Sequence, residues 1–165
     1  MVSNRYVIDQ ALADFLESDV AILVAACDAA NKPTISRGFG IRVAADRTQV
    51  TVFVAGQQSA ALLRDIEQTG RIAVNATRIS DYESYQLKGN NAQMVEPGEQ
   101  DRQHTDQYIQ GLQLEMAKVG ITPTQIDNIL KSYDSRLLAG ITFTVQEVYC
   151  QTPGPGAGKP REQRA

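Results

Sequence analysis

Val20-Ala21-Ile22-Leu23-Val24-Ala25-Ala26-Cys27 is followed by Asp28-Ala29-Ala30-Asn31-Lys32-Pro33 and then by a second strand-like stretch, residues 34–43. The first run is short, almost continuously apolar and rich in valine and alanine, which suits a buried strand. Asn31 and Pro33 punctuate the turn after it. Asp46-Arg47-Thr48 turns the chain again, and the β-branched segment Gln49–Ala55 reads as a third strand. Two hairpins in direct succession favour an antiparallel meander, because a parallel pair needs a crossover of a dozen or more residues. This order excludes a doubly wound parallel sheet and points to an α+β fold with a closed or nearly closed sheet.

Outward from this core, residues 9–17 read as a short helix with Asp9 as N-cap and Ala11, Leu12, Phe15 and Leu16 as an apolar stripe. Residues 59–70 read as a second helix, with Ser59 as N-cap, Leu62, Leu63 and Ile66 facing inward, and Gly70 as the stop. Residues 71–77 form a fourth strand. Residues 82–95 read as one long or bent strand, with Gly89-Asn90-Asn91 marking a bulge or sharp bend. From Glu96 the pattern turns helical, with Ile109, Leu112, Met116 and Val119 on one face and Gly120 at the end. Thr122-Pro123 opens a further helix that buries Ile126, Ile129 and Leu130. Residues 138–151 read as a last strand with Ile141, Phe143, Val145 and Val148 inward. The Pro- and Gly-rich residues 152–165 read as an extended tail.

The composition suits this reading. The 165 residues are 42% hydrophobic and 21% charged, a globular balance, and make one domain of ordinary size. A formal net charge of −3 and the lack of a basic stripe argue against a nucleic-acid partner. No apolar run approaches the ~20 residues that span a bilayer, so no membrane role is expected and the expected location is the cytoplasm. Cys27 and Cys150 lie far apart in apolar, strand-like contexts, without Cys-x-x-Cys spacing, and read as small hydrophobes. His104 is the only histidine and cannot by itself make a histidine-based metal site; it reads as solvated helix surface. Nucleophile elbows, phosphate loops and dinucleotide fingerprints are missing.

One constellation carries chemistry. Arg37-Gly38-Phe39-Gly40-Ile41-Arg42 places two arginines five residues apart in an otherwise apolar strand. Val52-Phe53-Val54 follows on the next strand, Ser59 opens a helix, and Tyr85-Gln86-Leu87-Lys88-Gly89 adds an amide and an amine. Guanidinium groups, a helix N-terminus and an amide suit a phosphate and a planar, hydrogen-bonding ring. This ordered set resembles the pyridoxamine 5'-phosphate oxidase-like family of FMN-binding split barrels. The resemblance spans roughly residues 9–95 and resumes at the last strand, with the helices at about 98–133 as an insertion.

The resemblance implies an antiparallel split β-barrel with flanking helices over residues 1–151, a tail over 152–165, and a homodimer with FMN at its interface. It implies that Arg37, Arg42 and the helix start at Ser59 hold the phosphate, that Val52 and Phe53 line the flavin, and that Gln86, with Lys88 beside it, meets the ring. The implied function is that of a flavoprotein, an FMN-dependent oxidoreductase whose substrate or electron donor is a small molecule and whose catalytic residues stay unassigned. Two departures stand out. Ser59 is followed by Ala60, Ala61, Leu62 and Leu63, where the family carries a basic side chain. Strand alternation also puts Arg37 and Arg42 on opposite faces, unless Gly38 and Gly40 permit a bulge or one arginine serves the dimer partner. A non-enzymatic protein holding haem, a deazaflavin or pyridoxal phosphate on the same barrel is the alternative, with His104 as an axial ligand in the haem case.

Overall fold

The computed structural model describes residues 5–163. The elements run α1 (Gln10–Leu16), β1 (Ala21–Cys27), β2 (Pro33–Val43), β3 (Gln49–Ala55), α2 (Ala60–Thr69), β4 (Ile72–Thr77), β5 (Ser84–Gly89), β6 (Gln93–Val95), α3 (Glu99–Lys118), α4 (Pro123–Leu130), β7 (Leu138–Thr144) and β8 (Glu147–Cys150). All eight strands join one antiparallel sheet in the order β6-β7-β3-β2-β1-β4-β5-β8. The expected α+β class, the meander β1–β3 and every expected helix are present.

Closure depends on two corners. Residues 90–92 carry the chain from β5, near one end of the strand order, to β6 at the other, and residues 145–146 do the same between β7 and β8. The two sheet ends therefore meet. Gln146 N donates to Lys88 O at 2.9 Å, Thr144 N donates to Asn91 Oδ1 at 2.9 Å, and Asn91 Nδ2 donates to Thr144 Oγ1 at 3.0 Å. No ladder pairs β6 with β8 among the described residues, so the barrel is split along that line. Gly89 is required at the corner, because a Cβ there would lie 2.7 Å from Phe143 Cδ2 and 2.8 Å from Thr144 O.

Two expected single strands are thus each two strands. Residues 82–95 break into β5 and β6, and residues 138–151 break into β7 and β8. The expected inward residues Ile141, Phe143, Val145 and Val148 are all buried, but the step of three from Val145 to Val148 shifts the alternation at the corner. The tail is not extended either. It turns at residues 152–158 and returns along β8: Cys150 N donates to Lys159 O, Gly158 N to Cys150 O and Arg161 N to Val148 O. Arg161 then bonds Asp9 and Tyr6, which fastens the hairpin to the start of α1.

The barrel interior is filled by Ile22, Val24, Val52, Val54, Val74, Leu87, Ile141 and Phe143. The α2 helix packs across β1 and β2, tied by Thr34 Oγ1 to Asp65 and by Thr69 Oγ1 to the Cys27 carbonyl. The α3 helix covers the far half of β2, where Tyr108 OH donates to Val20 O at 2.7 Å. Val119, expected on the buried face of α3, lies past its end and is exposed. No helix among the described residues is long and apolar enough to cross a membrane.

Candidate functional site

The register of five strands builds a mixed polar and apolar outer face. Leu23 of β1 pairs with Arg37 of β2 on one side and with Asn75 of β4 on the other. Asn75 pairs with Gln86 of β5, and Gln86 with Tyr149 of β8. Residues directly opposite share a face, so Arg37, Leu23, Asn75, Gln86 and Tyr149 form one row across the outside of the barrel. The next row is Ile35, Ala25, Ala73, Lys88 and Glu147. The intervening residues Ile22, Val24, Ile72, Val74, Ala76 and Leu87 point into the core.

Several polar groups on this face have spare hydrogen-bonding capacity. Arg37 and Gln86 are half-buried, and their side chains make no hydrogen bond or ion pair among the described residues. Asn75 donates from Nδ2 to Thr77 Oγ1 at 3.0 Å, which leaves its carbonyl oxygen as an acceptor. Lys88 Nζ lies 4.7 Å from the Tyr149 ring centroid, a cation–π contact that fixes the amine without neutralising it. Arg37 is also close enough to Tyr108 for its charge to oppose the upward shift that burial imposes on that hydroxyl. Three strand spacings separate Arg37 from Gln86, roughly 14 Å.

The other candidate residues stand apart from this row. The register of β2 against β3 slips between Gly38 and Ile41, a bulge at Phe39-Gly40 with Gly40 at φ +112°. The extra residue turns Arg42 to the outside together with Arg37, which resolves the alternation conflict in favour of the bulge. Yet the five residue steps from one to the other still span roughly 15 Å of strand. Arg42 Nε donates to Asp101 Oδ1 at 2.7 Å, beside the start of α3. Val52 and Phe53 are fully buried, so their side chains belong to the packing of β3. Ser59 occupies the N-cap position of α2 but makes no side-chain cap bond, and it is buried just past the end of β3.

His104 does not lie on solvated helix surface as its charged surroundings in the sequence suggest. It is half-buried rather than solvated, and its Nε2 lies 2.8 Å from the Ile41 carbonyl next to the bulge. A carbonyl only accepts, so Nε2 carries the proton and only Nδ1 is left as a potential ligand. Sequence reading missed Asn75 and Tyr149 on the outer row. Period-two alternation in Ile72–Thr77 was the available signal, since it sets Ala73, Asn75 and Thr77 opposite three apolar residues.

No family model matches the chain, and no curated protein matches it in sequence. Solved structures do match in fold. HupZ of Group A Streptococcus gives a TM-score of 0.51 at 18% identity, over 92% of this chain and 99% of that one. A candidate pyridoxamine 5'-phosphate oxidase from Lactobacillus delbrueckii gives 0.52 at 11% identity, over 91% and 98%. Identities this low speak for the fold alone, and with the strand order and the two corner crossings they establish it: the chain has the split-barrel fold of the pyridoxamine 5'-phosphate oxidase-like proteins.

Proposed function

We propose that this chain is an FMN-binding protein that works as a homodimer and supports flavin-dependent oxidoreductase chemistry. The observation that carries the reading is the outer row itself: the Arg37 and Gln86 side chains are both uncommitted and lie three strand spacings apart on one cross-strand line. The fit is chemical. A guanidinium at one end answers a phosphate, while the Gln86 amide and the Asn75 carbonyl oxygen answer the donors and acceptors on a ring edge. Bound flavin would supply hydride and electron transfer, and the chain would bind and orient it. Arg42 is held by Asp101, so its share of the phosphate is smaller than that of Arg37.

Support for a second copy comes from the same face. Leu23 and Ile35 are 44% and 65% exposed beside half-buried Ala25 and Ala73, an apolar patch of the kind that marks association sites. A partner there would cover the ligand's open side. One observation favours the alternative of a different small ligand, such as a deazaflavin, pyridoxal phosphate or haem. Ala60 and Ala61 are exposed at the start of α2, where a phosphate site would carry a cation. The haem version is the weaker one, because His104 is already engaged with Ile41.

The test is titration of the protein with FMN, following quenching of flavin fluorescence. Saturable micromolar binding is expected, weakened about tenfold or more by Arg37→Ala, less by Gln86→Leu, and least by Arg42→Ala. Absence of quenching at high protein concentration refutes the flavin reading. Sedimentation of Ile35→Asp tests the dimer; an unchanged mass would remove this face as the interface.

A further inference from the structure

Next to Asn75 and Gln86 on the outer face, β4 and β5 pair Thr77 with Ser84. Strand alternation puts these four side chains on the same side of the sheet. Three of them are joined by a chain of hydrogen bonds with a single direction. The Ser84 hydroxyl donates to the Ala76 carbonyl at 3.3 Å. It has one proton, so it meets the Thr77 hydroxyl as an acceptor. Thr77 gives its own proton to Ser84 and so offers Asn75 only lone pairs. An amide nitrogen alone can face a lone pair, and Asn75 Nδ2 donates to Thr77 Oγ1 at 3.0 Å. The base of the chain is held firmly. Ser84 is 5% exposed, and its backbone N–H donates to Thr152 Oγ1 at 2.9 Å, which ties it to the start of the C-terminal hairpin.

An asparagine on an open face can turn its amide over, and so accepts or donates as a ligand demands. Asn75 lacks that freedom. A flip would set Oδ1 against the Thr77 oxygen, and relieving that contact would reverse the chain and break the Ser84–Ala76 bond. We infer that Asn75 is a specificity-determining residue of the proposed flavin face, with Thr77 and Ser84 as its positioning residues, and that it selects a planar ring whose edge carries an N–H donor beside a carbonyl. Oδ1 accepts from the ring N–H, and the second Nδ2 proton answers the carbonyl. The inference rests on the flavin reading and deepens it by separating the candidate ligands. Flavins and deazaflavins have such an imide edge, whereas haem and pyridoxal phosphate do not. Asn75 is half-buried, so covering its acceptor without supplying a donor is costly, and a ring with that N–H blocked is rejected.

The test compares FMN with 3-methyl-FMN, in which N–CH3 replaces the ring N–H, by quenching of flavin fluorescence on the full chain. The wild type is expected to bind FMN at least about tenfold more tightly than the methylated analogue. Asn75→Ala should bring the two affinities together. Thr77→Val keeps the branched shape of the side chain but removes both of its hydrogen bonds. It should shrink the preference to about threefold or less, and Thr77→Ser should restore it. A purely structural role would weaken both flavins in parallel, so the ratio of affinities is the readout. Thermal melts show whether each variant is folded, and Asn75→Ala carries the test if Thr77→Val is not. Equal affinity of the wild type for the two flavins overturns the inference and leaves the flavin reading standing. A preference that persists unchanged in the folded variants does the same. Binding of neither flavin refutes the flavin reading and takes the inference with it.

Discussion

The Asp9 carboxylate holds both ends of the chain: Oδ2 accepts from Arg161 at 2.7 Å, and Oδ1 accepts from the Leu12 amide at 2.9 Å. One side chain therefore caps α1 and anchors the C-terminal hairpin, 152 residues away in sequence. The pair is shielded, with side-chain exposures of 15% for Arg161 and 20% for Asp9. Arg161 also donates to Tyr6 OH and lies 5.7 Å from the Tyr85 ring centroid, one residue from Gln86.

Asp9→Ala removes both bonds and should lower unfolding stability by about 1–3 kcal/mol. Asp9→Asn keeps a capping oxygen and should cost less. Arg161→Ala leaves the cap intact and frees the hairpin, so limited proteolysis should cut within residues 152–158 faster than in the wild type. Urea melts of the three variants, read beside the cleavage rates, separate the cap from the clamp.

Gly40 permits the β2 bulge with φ +112°, and its nearest non-local neighbours, Thr105 Cγ2 and Tyr108 Cγ, lie 3.6 Å from where a Cβ would sit. There is room for a methyl group, so the penalty for one is conformational rather than steric. Gly40→Ala should destabilise by about 1–3 kcal/mol in urea melts. Because the bulge turns Arg42 outward, the same variant should weaken the Arg42–Asp101 pair. Loss of its salt-sensitive contribution in a double-mutant cycle with Asp101→Asn would register that change.

Asp19 gives the pH dependence a sign. Burial raises its carboxyl above the ordinary value, Glu115 adds to the shift, and Lys118 opposes it. A raised acid binds its proton more tightly in the folded state, so folding is favoured on the acid side of the shift. That contribution is present below the ordinary carboxylate value and is lost as pH rises through the folded one. Asp19→Asn removes the titration. Between about pH 4 and pH 7 the variant's stability relative to wild type should rise with pH in urea melts. A flat difference across that range would show that Asp19 carries no such penalty.

How much of this was legible follows from where the information lies. The meander β1–β3 was readable to within a residue or two, because its turns carry Asn, Pro and Asp and its strands are β-branched. The β7–β8 corner was not, since Val145 keeps alternation going while the backbone turns. Gly89-Asn90-Asn91 did announce a bend, but nothing local says that the two sides join opposite ends of a sheet. Arg37, Gln86 and Lys88 were visible as polar breaks in apolar strands. Their sharing one face depends on the β2–β1–β4–β5 register, which no single segment encodes. His104 was misread because its partner is the Ile41 carbonyl, 63 residues away. The hairpin of the tail was missed for the same reason, since Pro and Gly describe the turn while Arg161 and Asp9 decide where it docks.

The start of α2 offers the sharpest test of where a phosphate would lie. Ser59 makes no side-chain cap bond, Ala60 and Ala61 are exposed, and Leu62 is buried, so the first turn has free N–H groups but no cation. A lysine at position 60 enters solvent without disturbing the core. Near a helix N-terminus it should cost only about 0.3–1 kcal/mol of stability. If the FMN phosphate sits at this turn, Ala60→Lys should tighten binding about tenfold through one charge-assisted bond, and the gain should shrink as salt is raised. If the phosphate is held by Arg37 away from the helix, affinity should stay at the wild-type value. Combining Ala60→Lys with Arg37→Ala decides between shared and separate sites. Coupled effects place both cations on one phosphate, and additive effects place Ala60 outside it.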